Sequence, residues 1–197
     1  MPNIIDQRTK RTLNAIDVAM AALIKEKPFS DISINEITEK ADINRSTFYR
    51  YYSNKEEWLE DYVEKLLDQP AKLCKSVKYP FYRKDIINLV IKIFEHFNNH
   101  KKEIQIIKDP SCYGLFTRKL DEIIEDVVRE KLNYTGITNI NPFLKSSFIV
   151  SGTSGVVLWW ITCGMNMNPE IIAENLANLY SAIITREKNY LNSRKKR

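Results

Sequence analysis

The sequence predicts an all-α protein: a small N-terminal domain of three helices, joined by a long helix to a larger all-helical domain. Three observations carry this. Apolar residues recur at helical spacing along most of the chain, whereas the alternation expected of strands is weak. Glycine is scarce, five in 197 residues, and seven prolines fall mostly between the periodic stretches. Two helix-opening sequences, Ser33-Ile34-Asn35-Glu36 and Ser53-Asn54-Lys55-Glu56, read as capping boxes and stand close enough together to frame two short helices. With 44% hydrophobic residues, the chain can bury a core for one or two domains.

The first helix is predicted from about Asp6 to Lys27, on the stripe Leu13, Ile16, Met20, Leu23 and Ile24, and Pro28 supports its stop. A second, short helix opens at Ser33 and ends near Asp42 and Asn44, both tolerant of turn geometry. A third takes Arg45 to about Tyr51. The long helix follows from Asn54 to about Lys75, with Trp58, Leu59, Tyr62, Val63, Leu66 and Leu67 on one side. Pro70 and Pro80 mark a looser connection. Further helices are expected over 83–108, 113–133, 141–165 and 169–189, broken at Pro110, at Gly136 with Pro142, and at Asn168-Pro169. The domains are therefore read as 1–52, a connecting helix 53–75, a second domain 76–189 and a basic tail 190–197.

The net charge of +5 is modest and unevenly placed. Residues 1–75 carry 12 Lys and Arg against 13 Asp and Glu, while the last twelve residues carry six cations against Glu187 alone. Such a tail reads as solvated and frayed, with non-specific polyanion contact as the sharper alternative. Arg8, Lys10 and Arg11 pose the same choice between a frayed end and an arm along a phosphate backbone. Cys74, Cys112 and Cys163 are odd in number and far apart, so a disulfide framework is not expected and a reducing cytoplasm is. The N-terminus mixes Asp6, Arg8, Lys10 and Arg11 and does not read as a signal peptide. From Ser146 to Pro169 no residue is charged. That stretch is long enough to weigh as a membrane span, yet Ser151, Gly152, Thr153, Ser154 and Gly155 favour a buried helix at a packed interface.

Four rings fall within Phe48–Tyr52, interleaved with Arg45, Ser46, Thr47 and Arg50 and followed by Lys55. A buried helix would not want those cations, nor a solvated one those rings. Two short helices joined by a tight turn and led by a third make a helix-turn-helix, whose second helix enters the major groove of DNA. Hydroxyls suit the phosphate contacts that set register, while base-edge contacts set sequence. Phe48, Tyr52 and Trp58 are expected in the core. Thr47, Tyr49 and Tyr51 turn hydroxyls outward, and a domain of almost no net charge can then still hold DNA.

"TFYRYYSNKEE", preceded by "ISINEITEKADINRS", resembles the tetracycline-repressor-like (TetR) family of bacterial transcriptional regulators over about residues 9–58. The resemblance implies an all-helical homodimer with an N-terminal DNA-binding domain and a C-terminal domain that senses a ligand or partner. It places Ser33 and Asn35 near phosphate or a groove edge and Arg45 and Ser46 at bases. Thr47, Tyr49 and Tyr51 fall on phosphates, with Lys55 capping the contact from the next helix. Arg50 falls where family members vary and is a candidate base reader; Arg to guanine is the commonest specific contact. The family's usual turn glycine is Asp42 here, which can adopt left-handed geometry at some cost.

In the second domain, Gly152 and Gly155 let another helix come close, and Trp159 adds buried area. With Leu176, Leu179 and Ile183 on the next helix, they are the expected four-helix dimer interface. The pattern also resembles a C-terminal subtype of the family, common in low-GC Gram-positive bacteria, that includes regulators of dihydroxyacetone kinase genes. Phe94, Phe97, Tyr113, Phe116 and Trp159 are candidates for a ligand pocket, against the plainer reading that they are core. His96 and His100, with Glu103 a turn later, have a spacing that can bind metal, but an ordinary helix face is the simpler reading. No Ser/His/Asp set, phosphate loop or zinc spacing appears, so neither catalysis nor a cofactor is expected. The expected function is that of a cytoplasmic repressor that binds a near-palindromic operator in double-stranded DNA as a homodimer. A small-molecule effector or a protein co-regulator would release it. The alternative is a co-regulator of the same fold acting mainly through protein contacts.

Overall fold

The structure is a computed structural model that describes residues 4–77, 82–132 and 141–194, with side chains described over 7–77, 82–129 and 141–181. Among the described residues there are eight α-helices and no strand. They are α1 (Ile4–Glu26), α2 (Ile34–Lys40), α3 (Arg45–Tyr49), α4 (Lys55–Ser76), α5 (Arg83–Asn99), α6 (Pro110–Leu132), α7 (Pro142–Thr162) and α8 (Pro169–Arg194). Short 3₁₀ segments cover Phe29–Asp31 and Glu103–Lys108. The all-α expectation holds. The predicted helix over 83–108 instead ends at Asn99, where the His100 backbone N–H reaches the carbonyls of His96 and Phe97, and a 3₁₀ segment follows.

Capping explains most boundaries. The Ser33 hydroxyl accepts from the Glu36 N–H, and the Glu36 carboxylate accepts the Ser33 N–H at 2.9 Å, so the predicted box opens α2. The box predicted at Ser53 lies one residue further on: Asn54 Oδ1 accepts from the Glu57 N–H at 2.8 Å, and Glu57 accepts from the Ser53 N–H at 2.6 Å. Asn141 accepts from the N–H groups of Phe143 and Leu144, and Pro142 takes the first helical position, where its missing N–H costs nothing. Pro70 does not break α4, which continues to Ser76.

Asp42 makes the turn between α2 and α3. Its φ is 51°. The Ile43 N–H bonds the Thr38 carbonyl at 3.0 Å and the Asp42 N–H bonds that of Glu39 at 3.2 Å. That pair of bonds is a Schellman ending with Asp in the left-handed position usually given to glycine. The α7 ending repeats it with Gly164 at φ 87°, through Met165 N–H to Trp160 O and Gly164 N–H to Ile161 O.

The described chain divides into two compact units. The first takes residues up to Leu66 together with Lys102–Phe116, and the second takes Leu67–Lys101 with the chain from Thr117 on. The division differs from the expected linear order, because 102–116 belongs with the first unit. Ile16, Met20, Ile37, Phe48, Trp58 and Val63 form the first unit's core, completed by Ile104, Ile107, Cys112 and Phe116. The second unit centres on Phe94, Phe97, Trp160, Ile161 and Leu176, with the rings of Phe94 and Trp160 4.8 Å apart.

Replacing Asp42 by Val, which is β-branched, should lower stability by about 1–2 kcal/mol, because its Cβ crowds the left-handed conformation. Asp42→Gly should leave stability unchanged or slightly raised. Urea unfolding of both variants checks this.

Candidate nucleic-acid interface

A five-residue helix cannot stand alone in water, so α3 is held by what lies behind it. Phe48 is fully buried and Tyr52 nearly so, their rings 5.8 Å apart. The Tyr52 hydroxyl donates to Asp61 at 2.7 Å, and the Trp58 indole N–H donates to Asp17 of α1 at 2.8 Å. These bonds fix the start of α4 against α1 and α3. Burial and the Asp61 bond push the Tyr52 phenol well above its usual range, so it remains a donor.

On the other side of α3, Arg45, Ser46, Tyr49 and Arg50 are exposed, while Thr47 and Tyr51 are half-buried. The Arg45 guanidinium lies 5.9 Å from the Tyr49 ring centre, and that of Arg50 lies 5.2 Å from the ring of Tyr51. Each cation thus rests on a tyrosine, which orders it without neutralising it. The Tyr51 hydroxyl comes within 3.5 Å of Thr9 Oγ1 on α1. Arg8, Lys10 and Arg11 are exposed on α1, which is helical from Ile4, so they are not a frayed end.

Two predicted contacts find other employment. Lys55 spends its three ammonium protons on the carbonyls of Phe29, Ser30 and Ile32, at 2.8, 2.6 and 2.8 Å, and lies over the Phe29 ring. It braces the turn that leads into α2 and has no donor left for a phosphate. The Ser33 hydroxyl is likewise committed to Glu36. Glu36 also takes Lys27 at 2.5 Å; that bond, followed by those from Ser33, holds its carboxyl near a pKa of about 2. Asn35, one residue into α2, is exposed.

The structure adds residues that local sequence gave no reason to select. Asp17 and Asp61 receive the two buried ring donors. Asp109, itself buried, accepts from the N–H groups of Phe29, Ser111 and Cys112 at 2.8, 2.9 and 3.3 Å. Burial, with Asp109 alongside, pushes the Cys112 thiol up to about 12.

The second unit shows a cavity of about 140 Å³ between the later part of α4 and helices α5–α8. Of the five predicted pocket residues only Phe94 lines it. Phe97 packs fully into the core, Trp159 faces outward, and Tyr113 and Phe116 belong to the first unit. The sequence reading followed rings, whereas the cavity wall is mostly Ile, Leu and Val.

α7 is apolar on both faces. Ile149, Val157, Trp160 and Ile161 point into the second unit, while Leu144, Phe148, Gly152, Gly155 and Trp159 form one exposed stripe. A Cβ built on either glycine would meet nothing within 4 Å. On α8, Leu179 and Ile171 are exposed, whereas Leu176 turns inward to the cavity and is not on the outer face. Ile183 lies outside the residues whose side chains are described. α7 is long and apolar enough to cross a membrane by length and composition alone. However, it also carries the buried Lys145 and Ser154, the latter bonded to Asp121 of α6. His96 and His100 stack at the end of α5, with His100 Nδ1 2.8 Å from the His96 carbonyl oxygen. Among the described residues no group of three or more His, Cys, Asp or Glu could hold a metal ion.

Residues 16–62 match the family model described as bacterial regulatory proteins, tetR family, and residues 84–182 match that of a transcriptional regulator C-terminal region. The HTH-type transcriptional regulator YxbF of Bacillus subtilis (strain 168) is 24% identical over 169 residues, 83% of this chain. The match spans only 43% of that relative's length. A TetR transcriptional regulator from Streptococcus agalactiae 2603V superposes with a TM-score of 0.66 at 23% identity, covering 89% of this chain and 97% of its own. The dihydroxyacetone kinase operon activator DhaS gives 0.50 at 22% identity, covering 88% and 96%. Both likenesses are of fold.

The two carboxylates near the interface should respond to pH in opposite senses. Burial raises the Asp17 carboxyl, more than the Trp58 bond and Lys65 lower it. The folded state therefore takes up that proton more readily than the unfolded chain, and the Asp17 contribution falls as pH rises above 3.8. Asp17→Asn keeps an acceptor for Trp58 without the charge. It should be more stable than the parent at pH 7 and lose that advantage near pH 3. Glu36 is lowered from its ordinary 4.5, so its contribution is complete above that pH and lost as pH falls towards about 2. Glu36→Gln should be less stable at pH 7 and converge with the parent in strong acid. Thermal melts of both variants across pH check this.

Proposed function

The chain belongs to the tetR family of bacterial regulatory proteins, and from that premise we propose that it is a DNA-binding repressor acting as a dimer on a near-palindromic operator. One observation carries the reading. α3 shows Arg45, Ser46, Tyr49 and Arg50 on its open side, while Phe48 and Tyr52 fix it from behind. Arg45 and Arg50 read bases, and Tyr49, Thr47 and Tyr51 set register on phosphates, with Asn35 at the edge of the contact. Lys55 and Ser33 act indirectly, by holding the entry to α2.

Two such helices must meet successive major grooves, roughly 34–36 Å apart, which requires a second subunit. The outer stripe of α7 with Leu179 and Ile171 of α8 is the proposed dimer face. Its large exposed side chains and open glycines are what an interhelical contact uses. An effector held in the second unit releases DNA to the extent that it binds one spacing of the reading helices better than another.

Gel shifts with DNA from the gene's own neighbourhood test the reading; no shift with any such fragment would favour a co-regulator working through protein contacts. Tyr49→Phe should weaken specific and random duplexes alike, by about 1 kcal/mol, the worth of one hydrogen bond. Arg45→Ala should relax preference at particular bases by about 1–3 kcal/mol. Equal losses on specific and random DNA in both variants would contradict the division of labour. Phe148→Glu should give a folded monomer in sedimentation and lose operator binding while keeping its helical circular dichroism.

A further inference from the structure

The cavity of the second unit has an unusual wall. Ile86, Ile93, Phe94, Ile124, Val128 and Ile149 supply much of it, and among the described residues no polar atom is presented to the space inside. The two hydroxyls in the lining are spent on each other: Tyr180 and Thr153 share a hydrogen bond, and Thr153 also donates to the Ile149 carbonyl at 2.6 Å. Among the described residues, the lining contains no Asp, Glu, Lys, Arg or His. Two other openings among the described residues, one in each unit, are of another kind. The one in the first unit is bordered by Lys25, Lys102 and Lys108, and a second one in this unit by Lys75, Asp126 and Arg129.

We propose that this cavity is the binding site for a small, uncharged and wholly apolar molecule, about the size of one aromatic ring or a short hydrocarbon. The proposal rests on the reading that the second unit answers to a small molecule, and names the chemistry of that molecule. Size sets the first limit. A closed apolar cavity of about 150 Å³ accepts benzene, and this one, partly open to solvent, offers about 140 Å³. Chemistry sets the second. An ion would lose its hydration with no opposite charge to replace it, and each hydroxyl of a polyol would lose its water with no partner to take its place. The wall therefore selects against sugars, ketols, amino acids and carboxylates, and favours ligands whose only gain is leaving water.

The test titrates the full-length protein with toluene, with glycerol as the polar and benzoate as the charged counterpart, following the thermal midpoint. Val127→Phe and Ile93→Phe, both half-buried at the cavity, fill it from two sides, so one misfolded variant still leaves the other. Toluene should raise the midpoint saturably, and at one hundred times its dissociation constant should shift the folding equilibrium about 100-fold. Glycerol and benzoate at equal concentration should not, and either filled variant should lose the toluene shift at least tenfold. No toluene shift in the parent, an equal shift with benzoate, or an undiminished shift in the filled variants would overturn the proposal. Operator binding is read separately by gel shift. Toluene that binds the parent and not the filled variants, yet leaves operator binding unchanged, would sustain the ligand class and overturn the effector role.

Discussion

The first unit depends on a tertiary constraint that no local preference could replace. α2 has seven residues and α3 five, lengths at which a helix in water is mostly unfolded. What holds them is the cluster of Phe48, Tyr52 and Trp58, sealed by two carboxylates that accept its ring donors. Each ring contributes on the order of 1.5–3 kcal/mol by leaving water, while an indole N–H or phenol O–H left unpaired there would offset much of that gain. Asp17 and Asp61 turn polar rings into usable core. The burial that lifts the Asp17 carboxyl is the cost of that arrangement.

That support leaves the outer side of α3 free of structural duty. Arg45 and Arg50 lie over tyrosine faces and not against carboxylates, so their charge stays available to a polyanion. Lys55 shows the opposite allocation: three carbonyls of one turn take all its donors. Two kinds of cation thus stand within a few residues of each other, one spent on the fold and one left exposed.

Helix number, order and most ends were legible, because periodicity and capping are local. The left-handed Asp42 was legible too, once the turn was located. The faces of α7 were not: a helix apolar all round does not say which side meets its own domain. For the same reason Leu176 could be placed outward when it belongs to the cavity wall. The cavity was not legible either, because its wall is mostly Ile, Leu and Val, which at helical spacing look like any other core. The role of Lys55 and the bonds made by Asp17 and Asp109 join positions 23 to 80 residues apart, and nothing in a local window encodes them.

Asp109 bears on modularity. Its carboxylate caps the start of α6 and also satisfies the Phe29 amide, eighty residues earlier. Ile104, Ile107 and Phe116 come from the same late stretch and complete the same core. A head cut out after α4 would keep every exposed residue of α3 and still lack a wall. Grafting such a head onto a foreign sensor domain would therefore have to carry residues 102–116 along with it, so that the transplantable module is discontinuous in the gene.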